Sequence, residues 1–436
     1  MSMKITKSFA AVSLVVALLL SGCTNADPSS GMKSVEEPLL EKESRSSFDF
    51  FWKEANTDPA SPGYGLIRDR APGNPSLSSV ASVGFGLTSI AIGAERGWVS
   101  RKEAEERVIG TLKTLEQNAS HRNGFFYHFL QMSDAAKADG SEVSIIDTAI
   151  ALNGAITVGE YFGGEAKELA ENIYARVDWE WFRDPACDMF YMSYRDNEGF
   201  SGHWDFYAEQ LMLYFLAAGS PTHPVDPGMF YKFTRHSTSY GDGEKFIHSW
   251  FGSIFTYQYS HAWFDLRGRA DKTGVDWWHN SRIASLANRQ FSIDQSKSFK
   301  TYGPDAWGLT ASDAPRGYEG RYGAAPSGIS NDQHLADGTL APAGALGSIA
   351  FMPEESITAL KHYYGIPELV GNYGLKDAYN TSITPAWFAP DVIGIDKGIT
   401  LLMIENYRTG FVWKWFMKNA RVRKGLEAVG MSEGHK

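Results

Sequence analysis

The chain has 436 residues, 43% hydrophobic and 14% aromatic, enough apolar mass to bury a large core. Its 41 basic against 51 acidic residues leave a net charge of −10 with no basic cluster, which argues against nucleic acid and phosphate-rich ligands and leaves neutral substrates open.

Residues 1–22 join a basic start (Lys4, Lys7) to the apolar run FAAVSLVVALLL and then to LSGC, the form of a bacterial lipoprotein signal. The mature protein then begins at Cys23, lipidated on its sulfur, with Thr24 next, as expected of a lipoprotein held at the cell envelope, in the outer membrane of a Gram-negative cell. The membrane enters only through this anchor. Residues 23–45 are polar and Pro/Ser-bearing and read as a tether, so the folded domain is expected over residues 46–430. With Cys23 modified, Cys187 has no partner and no disulfide framework is expected.

From there the chain alternates two kinds of helical stretch. SLSSVASVGFGLTSIAIGAE, SIIDTAIALNGAITVGEYF, FYAEQLMLYFLAAG, FIHSWFGSIFTYQYSHAWF, LAPAGALGSIAF and GITLLMIENYRTGFVWKWF are apolar nearly all round. SRKEAEERVIGTLKTLEQ, GEAKELAENIYARV, VDWWHNSRIASLANRQFSI and MPEESITALKHYYG carry one charged face, with Ser100 and Pro353 at helix starts and Gly365 at a stop. A helix apolar on all sides needs protein around it, whereas one apolar on a single side needs solvent on the other. Six inner helices, each followed by an outer one, would close into an all-α (α/α)6 toroid, and no linker divides it. The longest connection, from about Gln295 to Thr339, is crowded with Gly, Pro, Trp and Tyr, the composition of a functional surface loop suited to stacking on sugar rings.

Acids gather at the inner helices. Glu142 and Asp147 flank the start of the second, Glu209 opens the third and Asp396 opens the last. In alternating hairpins the inner N-termini lie at one end, so these carboxylates would converge, as glycoside hydrolysis requires of its acid and base. The competing reading of each is a helix-dipole partner, worth about 0.3–1 kcal/mol. His203, His223 and His261 lack close metal-motif spacing, and no serine elbow or phosphate loop appears, so neither metal nor cofactor is expected.

The stretches GLIRDR, ASVGFGLTSIAIGAERGW, GFFYHFL, SEVSIIDTA, YAEQLMLYFLAAGSPTHP, SHAWFDLRG, WGLTASDAPRGY, DGTLAPAGALGSIAFMPEES and IDKGITLLMIENYRTG run in order from Gly65 to Gly410. They resemble the bacterial β-1,2-glucanase family, with its glucoamylase-like domain, related to the central domain of cyclic β-1,2-glucan synthases. The resemblance implies an (α/α)6 barrel that hydrolyses linear β-1,2-glucan, with inversion, to sophorose and longer oligosaccharides. It implies Glu209 as general acid and Asp396 as base or subsite residue, with Glu142 and Asp139 near the cleavage site. Arg68, Asp69, Trp307, Asp313 and Tyr318 become sugar contacts, joined as substrate-binding candidates by Asp147, His203 and Tyr207. A monomer with a β-glucan as its partner is expected. An exo-acting or transglycosylating enzyme would share these motifs, and a glycan-binding lipoprotein is the non-catalytic alternative.

Overall fold

A computed structural model describes residues 36–433; the signal segment, Cys23 and the tether before Glu36 lie outside the described residues. Helices α1 (Glu36–Lys53), α2 (Val80–Glu95), α3 (Arg101–Gln117), α4 (Ile145–Phe162), α5 (Gly164–Ala175) and α6 (Leu211–Gly219) form the first half of the chain. They are followed by α7 (Tyr259–Trp263), α8 (Trp277–Asp294), α9 (Pro342–Leu346), α10 (Pro353–Tyr364), α11 (Gly394–Thr409), α12 (Phe411–Phe416) and α13 (Ala420–Val429). The fold is predominantly helical but not purely so. Short antiparallel strands occupy its connections, chief among them a sheet of Val143–Ser144, Arg183–Asp184, Met189–Arg195 and Gly199–His203.

The division into buried and amphipathic helices follows the side chains. α2 and α6 are buried along almost their whole length, and α4 and α11 nearly so. α2 packs between α4 and α11, while α5 lies on α4 and α13 on α6. α3 turns Ala104, Val108, Leu112 and Leu115 inward, a stripe at three- and four-residue spacing. Its start carries the full capping box: Glu103 N–H donates to Ser100 Oγ at 3.2 Å, and Ser100 N–H donates back to Glu103 Oε2. Ser79 and Ser144 cap α2 and α4 through their side chains alone, accepting from the N–H groups of Ser82 and Asp147.

Four expectations change. The tether does not extend to residue 45, because α1 already runs from Glu36, with Leu40, Ser44, Ser47, Phe48 and Phe51 buried on one face. Its Glu43 is buried and accepts from Lys397 Nζ at 2.5 Å, from the Tyr364 hydroxyl at 2.8 Å and from Leu375 N–H at 3.2 Å. The stretch 246–264 is not one inner helix: it is the strand Phe246–Ile247, a 3-10 turn at Ile254–Tyr257, and then α7. Gly252 breaks it, holding φ at +65° where a Cβ would meet the Ala324 carbonyl oxygen. At Gly410, φ +66°, the last inner helix divides into α11 and α12. The Gln295–Thr339 connection is largely interior, burying Tyr302, Trp307, Leu309 and Tyr322 around the hairpin Ser312–Ala314/Gly317–Glu319.

Glu43→Gln tests whether α1 belongs to the domain. Removing one member of a buried ion pair strands the other charge, so we expect a loss of about 3–5 kcal/mol in chemical denaturation. A change within about 0.5 kcal/mol would return α1 to the status of an appendage.

Candidate functional site

The N-terminal ends of the buried helices meet. Val80 N–H at the start of α2 donates to the His128 carbonyl at 2.9 Å, and Gly394 N–H at the start of α11 donates to the Asp69 carbonyl at 2.7 Å. Ser260 of α7 donates to the Glu209 carbonyl at 2.9 Å and accepts from Met212 N–H of α6 at 3.1 Å. This framework opens into a cleft of about 650 Å³ lined by His203, Phe206, Glu209, Trp250, Phe255 and Ile329, among others.

Glu209 lies two residues ahead of α6, on the cleft wall, and not in the first turn that the apolar run suggested. Its carboxyl is pushed up to about 7, above all by burial and further by the negative charge of Asp147, while its own backbone N–H works the other way. Near neutral pH it therefore holds a proton about half the time. Such a group can donate a proton inside a cleft, whereas a capping carboxylate is held ionised.

Asp147 stands in the first turn of α4, bound by Ser144 Oγ at 2.5 Å, and its charge reaches both Glu209 and His128. His128 Nδ1 lies 3.0 Å from Glu142 Oε1, and its Nε2 lies 3.8 Å from Asp147 Oδ2. Burial opposes a charge on the imidazole, but Asp147 and Glu142 outweigh it and hold His128 up at about 9. The bond from His128 in turn keeps Glu142 below the usual carboxylate range, and Arg195 adds a contact at 3.3 Å. Glu142 is thus an ionised anchor for His128 instead of a proton donor. Asp139 lies exposed on the turn before it, and no hydrogen bond or ion pair ties it to the other acids among the described residues.

A second group of acids stands behind Tyr318. Arg70 Nη1 reaches both oxygens of Asp313 at 3.0 Å and Asp391 at 3.5 Å, and its Nε lies 3.4 Å from Asp69. Asp313 N–H donates to Asp377 Oδ2 at 2.7 Å, and Asp377 is hydrogen-bonded to the buried Asp396. Burial raises Asp377 to about 6 against the hydrogen bond from Asp396, and burial together with the charge and hydrogen bond of Asp377 raises Asp396 well above the carboxylate range. Two carboxyls this close cannot both ionise, so the pair retains one proton and one negative charge near neutral pH. Tyr259 lies between the two groups, within the fields of Asp396, Glu209 and Asp147. Tyr318, half exposed, lies within those of Asp396, Asp377, Asp69 and Asp313.

Two expected sugar contacts, Trp307 and Arg68, belong elsewhere, and Tyr207 is mostly core. Trp307 is fully buried, and its carbonyl accepts from the Tyr363 hydroxyl at 2.6 Å, because the loop that carries it folds inward. The Tyr207 ring, 1% exposed, packs at 4.9 Å from Trp277 as part of the core, while the residue itself borders the cleft beside Glu209. Arg68 turns its guanidinium onto Glu54 at 2.5 Å and onto the carbonyls of Pro72 and Gly73, clamping its own loop. Asp69, Asp147, Asp313, Tyr318 and His203 do join the site region. Residues not anticipated are His128, Tyr259, Asp377, Arg70 and the cleft aromatics Phe206 and Trp250, whose rings meet edge to face at 5.3 Å.

Comparison with known proteins follows the same lines. An exo β-1,2-glucooligosaccharide sophorohydrolase (non-reducing end) of Parabacteroides distasonis is 27% identical over a 445-residue alignment covering 90% of this chain. The alignment spans only 58% of that relative's length. The structure of an endo-β-1,2-glucanase from Chitinophaga pinensis, complexed with sophorotriose and glucose, superposes with a TM-score of 0.80 and 28% identity, covering 91% of this chain and 98% of that one. Residues 201–420, half of the chain, match the family model "Putative glucoamylase", and a Bacteroides uniformis structure of that description superposes with a TM-score of 0.81, 28% identity and coverage of 92% and 99%. The chain belongs to this Glycoamylase family.

Proposed function

We propose that the chain is a glycoside hydrolase that cleaves β-1,2-glucan to sophorose and longer β-1,2-gluco-oligosaccharides by an inverting acid/base reaction in a single (α/α)6 domain. The observation that carries this reading is Glu209, a carboxyl raised to about 7 on the wall of an open, aromatic-lined cleft. The β-1,2-glucan enzymes among its relatives supply the linkage. Glu209 gives its proton to the glycosidic oxygen as the C–O bond breaks. A water attacks the anomeric carbon from the opposite face and loses its proton to the Asp377–Asp396 pair, whose single negative charge can accept it. Arg70, Asp69 and Asp313 hold that pair and offer polar edges to sugar hydroxyls, while Trp250 and Phe206 offer faces to sugar C–H groups.

Chromatography of products from linear β-1,2-glucan, with the anomer of the first product read by NMR, tests the reaction. Sophorose and longer oligomers born as α-anomers are expected; an uncleaved glucan would sink the reading, and β-anomers would replace inversion with retention.

Asp147 tunes the acid, and its removal has a defined sign. Its negative charge raises Glu209, so Asp147→Asn lowers the Glu209 value. A general acid works only while protonated, and the descending limb of the kcat–pH profile therefore moves to lower pH. An unmoved limb would separate Asp147 from Glu209.

Cys23 carries the envelope part of the proposal: the mature chain is lipid-anchored, a monomer tethered by the residues before α1. Cys23→Ala should move the protein from the membrane to the soluble fraction, since stable anchoring needs more than one acyl chain and the diacylglyceryl group would be lost. Persistent membrane attachment of this variant would contradict the anchor.

A further inference from the structure

Among the described residues, Asp184, Cys187 and His203 form the one group of three potential metal ligands whose donor atoms all lie within 4.8 Å of one another. Sequence spacing conceals them, because the sheet brings them together. Strand Arg183–Asp184 pairs with Phe190 and Met189, and the next hairpin sets Tyr191 opposite His203. Between them the chain turns tightly, with Asp188 in the left-handed region at φ +56° and its N–H on the Asp184 carbonyl at 2.9 Å.

The surroundings of the three donors resemble the outer contacts of a ligand set. Ala186 N–H takes Asp184 Oδ1 at 2.9 Å, leaving Oδ2 directed at His203 Nε2, 2.8 Å away. The Tyr191 hydroxyl is hydrogen-bonded to Asp184, and its ring lies 4.7 Å from the His203 ring. Met189 N–H donates to the Cys187 sulfur. Partners of this kind fix a ligand's orientation and tautomer.

We propose that Asp184, Cys187 and His203 bind one divalent ion of the zinc type. One sulfur, one imidazole nitrogen and one carboxylate oxygen suit a borderline-soft ion and disfavour magnesium or calcium, which take oxygen donors. Three protein ligands leave a fourth position to water. Binding releases the thiol proton to solvent, forms the sulfur–metal bond, and replaces the Asp184–His203 hydrogen bond as the imidazole proton shifts from Nε2 to Nδ1. The ion would tie the strand Arg183–Asp184, the turn that follows it and the strand Gly199–His203 together beside the cleft, because His203 belongs to both features.

Cobalt(II) chloride and zinc chloride, added to the metal-stripped full chain, are the probes. A single cobalt equivalent should give a thiolate-to-cobalt charge-transfer band in the near ultraviolet, displaced by zinc and absent from Cys187→Ser, which keeps Cys23. His203→Ala and Tyr191→Phe should weaken zinc in isothermal titration by at least about 10-fold, the effect expected of a lost ligand or a lost outer contact. Independently of any variant, zinc should slow alkylation of Cys187 in the wild-type protein, followed by peptide mass mapping. No band, a band that survives in Cys187→Ser, His203→Ala binding as tightly as wild type, or alkylation of Cys187 indifferent to zinc would each overturn the site.

Discussion

Glu209→Gln should abolish turnover of β-1,2-glucan and at the same time raise the melting temperature above neutral pH. The two effects share one cause. In the folded protein the carboxyl is raised from 4.5 to about 7, chiefly by burial. A group raised on folding adds stability only while protonated: its contribution is whole below the unfolded value, shrinks as pH climbs from about 4.5 to 7, and above that the fold carries the full cost of an ionised buried carboxylate. An amide never ionises, so the variant should gain up to about 3 kcal/mol at pH 8 and nothing at pH 4. It also cannot deliver a proton to a leaving oxygen, and activity should fall at least ~10²–10⁴-fold. A glucosyl fluoride, whose leaving group needs no proton, should recover part of that loss. The helix-dipole reading demands the reverse, near-normal turnover with about 1 kcal/mol of stability lost. Calorimetry at the two pH values together with turnover on glucan and fluoride separates them. If the fluoride rescues Asp396→Asn and not Glu209→Gln, the acid and its partner have been exchanged.

What the sequence disclosed depended on how local the physics was. Ser100 and Glu103 are three residues apart and their capping box is a one-turn event, so α3 was legible at its first residue. α2 and α4 were legible because a long run apolar on all sides has few alternatives to burial within a helix. The same reasoning failed over 246–264, where an equally apolar segment is buried as strand, turn and short helix. Apolar content reports burial, not conformation, and the single residue that decides, Gly252, gains its meaning from the Ala324 carbonyl far along the chain. α1 was hidden for a different reason: its inward face is partly polar, with Glu43, Ser44 and Ser47 buried, and the partners that satisfy Glu43 come from across the fold. The site divides in the same way. Glu209 stood out as a lone acid against a wholly apolar run. His128 and Asp377 did not, because an imidazole beside two carboxylates and a proton-sharing acid pair are made by contacts across the fold.

Tryptophan is where composition misleads most, and Trp307→Ala against Trp250→Ala makes the distinction measurable. Both lie in connections rich in Gly and aromatics, and both could be taken for sugar platforms. Trp307 is 0% exposed whereas Trp250 is 38% exposed on the cleft wall, edge to face with Phe206. Truncating Trp307 removes a whole buried ring and leaves a cavity, for a loss of about 3–5 kcal/mol in chemical denaturation. The lower end is favoured because the buried Nε1 has no hydrogen-bond partner, and its removal relieves a desolvation cost already present in the wild type. Molecules of this variant that remain folded should bind gluco-oligosaccharides normally, since the buried ring is not part of the cleft lining. Trp250→Ala should do the opposite: stability close to wild type, and KM raised by up to about tenfold, the equivalent of the roughly 0.5–1.5 kcal/mol that an aromatic face contributes beyond area burial. The comparison requires denaturation curves and KM for both variants on one β-1,2-gluco-oligosaccharide. A stable Trp307→Ala with weakened binding would restore that residue to the substrate surface, and a Trp250→Ala indistinguishable from wild type in KM would remove the Trp250–Phe206 wall from the sugar path.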